Sequence, residues 1–108
     1  MIEVNNLTTD RVNKKKLKKL AEKVLAAENK KIDLSIALVG EKRIRELNKK
    51  YRKKDKPTDV LSFNYGASGE VVLCPRQIEG KIDQVLVHGI LHILGYNHRE
   101  MKNFKING

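Results

Sequence analysis

All three histidines of the chain, His88, His92 and His98, fall within eleven residues, in the order H-x-x-x-H-x-x-G-x-x-H. Residues four apart on a helix are offset by about 40° around the axis and about 6 Å along it, so His88 and His92 leave one face together. With that spacing a helix offers two nitrogens to one metal ion. Gly95 permits the left-handed conformation that stops a helix, and the chain then brings His98 back three residues later. A lone buried histidine is most simply a hydrogen-bonded core residue. Three of them, separated by apolar positions and by a glycine where the turn must fall, point instead to a metal centre. Three neutral imidazoles favour Zn²⁺, one per chain, with Ni²⁺ and Co²⁺ also chemically suited. A fourth position left to water makes such a centre hydrolytic, because the metal lowers the pKa of that water toward about 7 and polarises a carbonyl or phosphoryl oxygen.

The spacing equals that of the long metalloprotease motif H-E-x-x-H-x-x-G-x-x-H, but Gly89 stands where the general-base glutamate would be. Peptide hydrolysis would need another base. A glycine at this position is expected to leave open space beside the metal, which suits a bulky substrate such as a phosphodiester.

The elements that must position these residues can be read from periodicity. From Val85 to Leu94 the ionisable residues are His88 and His92 alone, and the other positions are apolar around the whole circumference, which predicts a buried helix over 82–94. Leu17, Leu20, Ala21, Val24 and Leu25 repeat at helical spacing and predict an amphipathic helix over 13–28. A second helix over 41–52 turns Ile44, Leu47 and Tyr51 inward, with Arg45, Asn48 and Arg52 opposite or oblique to that stripe, until the segment holding Pro57 breaks it. Alternation and turn residues predict strands over 2–5, 33–39, 60–65 and 70–73, the last two flanking a turn at 66–69. Thr58 and Asp59 fit a turn and strand cap. Three helices and four short strands make an α+β domain over residues 1–108, with one face of a small sheet covered by helices.

The chain has 108 residues, with 23 Lys plus Arg against 13 Asp plus Glu. That length supports a single core. One cysteine, Cys74, excludes an internal disulfide and favours a reducing, cytoplasmic location; it is expected to be a small buried hydrophobe at a strand end. The absence of an apolar leader region and of any long apolar run predicts neither export nor a membrane span. A charge of +10 on so small a body selects polyanionic partners, nucleic acid ahead of an anionic membrane surface. Residues 1–60 carry 18 basic and 9 acidic side chains, whereas 61–108 carry 5 and 4. Much of that excess is expected to be a solvated helix face, although Lys14 to Lys16 oppose the dipole of the helix they begin and so favour an external anion.

H88-G-I-L-H-I-L-G-Y-N-H98, taken with N48-K-K-Y-R-K-K-D-K-P-T-D-V-L-S-F63 and G69-E-V-V-L73, resembles the bacterial YbeY-type rRNA maturation endoribonuclease family. The resemblance implies a zincin-like α+β fold with a small mixed four-stranded sheet and an active-site helix carrying H-x-x-x-H. It also implies Zn²⁺ held by His88, His92 and His98, and single-strand-specific RNase activity in 16S rRNA 3′-end maturation and ribosome quality control. Arg52 matches the family's functional arginine, suited to clamp a phosphate or stabilise charge at phosphorus. Lys49, Lys50, Lys53 and Lys54 would guide the strand. Expected partners are single-stranded RNA, an rRNA precursor, and the ribosome or small-subunit proteins. The family carries Asp where this chain has Asn97, and the short 74–84 segment and ten residues after His98 imply a trimmed covering loop and final helix. With few aromatic side chains (Tyr51, Phe63, Tyr65, Tyr96, Phe104), RNA binding is expected to be dominated by phosphates and steeply salt-dependent. Two rival readings are a zincin-type metallopeptidase and a non-enzymatic RNA-binding protein associated with the ribosome.

Overall fold

The computed structural model of the chain describes residues 1–96. His98 and Asn97 lie outside the described residues. The elements run β1 (Ile2–Asn6), α1 (Lys14–Ala27), β2 (Asp33–Leu38), α2 (Glu41–Arg52), β3 (Val60–Asn64), β4 (Ser68–Leu73) and α3 (Ile82–Ile93), with a 3-10 turn at Pro75–Gln77 that patterning did not anticipate. The strands form one mixed sheet in the order β1-β2-β4-β3. β1 pairs with β2, and β2 with β4, in parallel; β3 turns back antiparallel on β4 and becomes an edge.

Because successive strand residues face opposite sides, the sheet sorts its apolar residues into two layers. On one face Leu34, Ile36, Leu38, Val71 and Leu73 pack with Leu17, Ala21, Val24, Leu86, Ile90 and Leu91 from α1 and α3. On the other, Leu61, Val72 and Cys74 pack with Val39 and Ile44 under α2. The expectation of a single covered face is therefore corrected: α2 shields one end of the second face.

α1 is capped by Asn13, whose side chain accepts the Lys16 N–H at 3.1 Å. Lys16 is also tied to α3, its Nζ lying 3.3 Å from Asp83, so this first-turn lysine has a partner within the chain.

α2 differs from its sequence reading in two respects. Asn48 is buried, 1 % exposed, and its Nδ2 donates to the Lys56 carbonyl at 2.9 Å; it anchors the following loop instead of facing solvent. Tyr51 is not inward but 55 % exposed. The helix stops at Lys53, in the left-handed region at φ 58°, whose N–H returns to the Lys49 carbonyl at 3.1 Å. Lys53 is the first residue of the segment that holds Pro57, so the break falls where the sequence places it, and the stop itself is a left-handed lysine, strained by about 1–2 kcal/mol.

Candidate functional site

α3 lies hard against β3 and β4. A Cβ on Gly89 would sit 2.9 Å from Val71 Cγ1 and 3.1 Å from Ser62 Oγ, and one on Gly69 would sit 2.9 Å from Ile93 Cγ2. Both glycines are there so that helix and sheet can touch. Two side chains on the edge strand then fix the helix lengthwise: Ser62 Oγ donates to the Gly89 carbonyl at 3.0 Å, and Asn64 Nδ2 donates to the Ile93 carbonyl at 3.0 Å. Nothing in the sequence pattern marked Ser62 or Asn64, because their partners are 27 and 29 residues away.

The close approach overturns the expectation of open space at Gly89. That position is buried and faces Val60, Ser62 and Val71, so a glutamate there has neither room nor a path to solvent. The peptidase reading loses its base on steric grounds as well as by identity.

With the rest of α3 packed away, its exposed stripe is Gln84, His88 and His92. The predicted buried helix is thus buried on all but the face that carries both imidazoles. Its C-terminus closes as foreseen: Gly95 takes φ 93°, its N–H reaches the His92 carbonyl at 3.1 Å, and the Tyr96 N–H reaches the Leu91 carbonyl at 2.9 Å. This paired arrangement ends the helix.

His88 and His92 open onto a cleft of about 350 Å³ shared with Arg52, Thr58, Asp59, Val60 and Ser62. Arg52 arrives from the last turn of α2, 36 residues before His88 in sequence, and pairs with no carboxylate among the described residues. The Asp59 carbonyl accepts the Cys74 N–H at 2.9 Å, extending the β3–β4 pairing, and its carboxylate accepts from the Thr58 hydroxyl at 3.4 Å; the residue also lines the cleft, a place that sequence reading did not give it. Lys49, Lys50, Lys53 and Lys54 are exposed at the same end of α2 but do not line the cleft. Lys49 Nζ lies 3.9 Å from Asp55, and Lys50 Nζ sits 5.2 Å from the centre of the Tyr51 ring. Arg45, read as part of the polar face with Arg52, is held by Asp55 at 2.8 Å. That hydrogen bond, with the accompanying charge attraction, raises the Arg45 pKa and lowers that of Asp55. Cys74 is fully buried, and that burial pushes its thiol pKa up, which fits a small hydrophobe better than a nucleophile.

The donor set suits the expected metal. Two imidazoles one turn apart, on the exposed stripe of a helix held rigidly by Ser62 and Asn64, open on a polar cleft; among the described residues no third histidine, cysteine or carboxylate joins them in a metal-sized cluster. The remaining predicted ligand, His98, lies outside the described residues.

A mixed sheet whose antiparallel edge strand grips a helix carrying H-x-x-x-H defines a zincin-like α+β protein. The family model described as Endoribonuclease YbeY matches residues 3–106, and the chain belongs to that family. It is 38% identical to the endoribonuclease YbeY of Aquifex aeolicus, over 90% of this chain and 84% of that one. With the endoribonuclease YbeY of Sulfurihydrogenibium sp. the identity is 39%, over 81% of this chain and 70% of the relative. A solution structure of a Thermotoga maritima protein superposes with a TM-score of 0.60 at 31% identity, covering 91% of this chain and 75% of that one.

Proposed function

We propose that the chain is a metal-dependent endoribonuclease that cuts single-stranded RNA, with a role in 16S rRNA 3′-end maturation and ribosome quality control in the cytoplasm. The observation that carries this reading is the convergence of Arg52 with His88 and His92 on one cleft. Family membership supplies the reaction class, and the excess of basic residues in the first sixty supplies affinity for a polyanion. His88, His92 and His98 would hold Zn²⁺, with Ni²⁺ or Co²⁺ as chemical substitutes. When bound, the ion supplies Lewis acidity toward a phosphoryl oxygen and makes water a stronger acid.

The chain's own residues do the rest. Arg52 presents a planar fork that binds two phosphate oxygens at once. As negative charge grows at phosphorus, that fork strengthens its hold, which is the differential binding catalysis requires. Asp59 offers an acceptor for the ribose 2′-hydroxyl, the group that distinguishes RNA from DNA. Ser62 and Asn64 keep the α3 backbone, and so both imidazoles, at a fixed height above β3. Lys49, Lys50, Lys53 and Lys54 line the approach and hold flanking phosphates of an rRNA precursor on the small ribosomal subunit.

The test pairs metal analysis with cleavage of a defined single-stranded RNA. Stoichiometric metal and cleavage, both lost in His88→Ala, are the expected result, and end-group analysis of the products then names the nucleophile. Nuclease-free protein that leaves the RNA intact with Zn²⁺, Ni²⁺, Co²⁺, Mn²⁺ and Mg²⁺ each present overturns the reading.

A further inference from the structure

The second face of the sheet, beyond the end covered by α2, carries three aromatic rings that are scattered in sequence and contiguous in space. Tyr51 meets Phe63 edge-on with centroids 5.1 Å apart, and Phe63 and Tyr65 lie nearly parallel, at 7°, with centroids 6.4 Å apart. Phe63 and Tyr65 share a face because they are two residues apart along the edge of the sheet. Tyr51 and Tyr65 are 55 % and 63 % exposed, as is usual for recognition surfaces and unusual for a packed core. They rim a groove of about 230 Å³ whose floor includes Val72 and Glu70. Tyr65 and Glu70 also border a second hollow of about 410 Å³ that runs across the sheet to Met1 and Glu3.

From this arrangement we infer that the aromatic row is a base-stacking platform for single-stranded RNA beside the cleavage cleft, an inference that rests on the RNA reading above. Charge and position choose the occupant. Lys50 sits over the Tyr51 ring and Arg43 lines the groove, so cations stand at the rim, while the Glu70 carboxylate on the floor repels phosphate. A groove that is cationic at its rim and anionic at its floor takes a base inward and leaves the backbone outside. Glu70 then accepts from the amino or imino groups of that base. The groove and the cleft lie on opposite faces of the sheet and meet across its β3 edge at the end of α2. Tyr51 stands on one while its neighbour Arg52 lines the other, and on β3 Phe63 lines the groove while Ser62 lines the cleft. A strand laid across this edge can place a phosphate at Arg52 and an adjacent base on Phe63 and Tyr65.

The test is fluorescence anisotropy with the full chain and a labelled twelve-nucleotide 2′-O-methyl RNA, beside the same oligomer with abasic positions. Tyr65→Ala should weaken binding about 5- to 150-fold, the range that loss of one base–aromatic stack spans. Tyr65→Phe should stay within about twofold, since the ring face is kept. The salt dependence should keep its slope in Tyr65→Ala, because stacking releases no counterions. Abasic oligomers should bind wild type and Tyr65→Ala alike. Thermal melting verifies that Tyr65→Ala is folded, and Phe63→Leu, which keeps apolar volume, gives a second reading of the same surface. If wild type binds the oligomer and all three variants bind it equally well, the platform is wrong and the RNA reading stands. If the variants bind RNA normally but no longer retain a protein that the wild type captures, the surface is a protein-docking site and the inference is overturned. Failure of the wild type both to bind and to cleave RNA overturns the RNA reading itself.

Discussion

Gly89→Ala sets two effects of opposite sign against each other, and the structure decides between them. Helix propensity alone favours alanine over glycine by about 0.8–1 kcal/mol. Against it, the new Cβ would lie 2.9 Å from Val71 Cγ1, 3.1 Å from Ser62 Oγ and 3.3 Å from Val60 Cγ2. Val71 is fully buried and β-branched, so it cannot rotate aside without meeting other neighbours. Relief must come from lifting α3 off the sheet, at an overpacking cost of about 1–3 kcal/mol. Lifting also stretches the Ser62 bond to the Gly89 carbonyl, now 3.0 Å, which can add up to about 1 kcal/mol. The expected net effect is destabilisation by about 1.5 kcal/mol, a fall in Tm of roughly 6–12 °C for a domain of this size. Urea and thermal denaturation of the full chain, followed by far-ultraviolet circular dichroism, measure it. Val71→Ala removes the clashing methyl, so in its background Gly89→Ala should cost at least about 1 kcal/mol less than in the wild type. A Gly89→Ala protein that melts higher than wild type would refute the close helix–sheet approach and, with it, the account of how the imidazoles are held.

The remaining predictions concern the metal, the strand and one ion pair. His88→Ala should lose bound metal and RNA cleavage together, while the stability of the metal-free chain changes by no more than about 0.5 kcal/mol because the side chain is exposed; metal analysis and urea melts read the two effects separately. Single-stranded RNA affinity should fall with salt at about 0.7 logarithmic units per phosphate neutralised, so a Lys53→Ala, Lys54→Ala double variant should flatten that slope by about 1.4 if both lysines hold phosphates. An unchanged slope would remove them from the strand path. For Arg45 and Asp55 the sign follows from the lowered Asp55 pKa, whose first cause is the hydrogen bond from Arg45. The pair's contribution is present above the ordinary carboxylate pKa of about 3.9 and is lost as pH falls through the lower folded value. Carboxyl NMR titration should show the Asp55 midpoint returning upward in Arg45→Gln, and an identical midpoint in both proteins would dismiss the pair.

Much of this protein is legible in the order of its residues because the relevant interactions are local. Leu17 to Leu25, the alternation of Leu34, Ile36 and Leu38, and the His92-to-Tyr96 closure at Gly95 each act within a turn or two of chain, so spacing suffices to place a helix, a strand and a stop. The i, i+4 histidine pair is of this kind. What spacing does not reveal are contacts between residues far apart in the chain. Asn48 reads as a polar face residue until the loop at Lys56 folds back to take its amide, and Gly89 reads as open space until β3 and β4 arrive beneath it. Tyr51, Phe63 and Tyr65 look like too few aromatics to matter until the end of α2 crosses the sheet edge and lines them up. The sequence by itself determined that His88 and His92 leave one face of one helix, since spacing along a helix is a property of the helix alone. Only the tertiary structure decided that Arg52 and Asp59 share their cleft and that no carboxylate fits at position 89, because both depend on how closely a helix may approach a sheet formed by other parts of the chain.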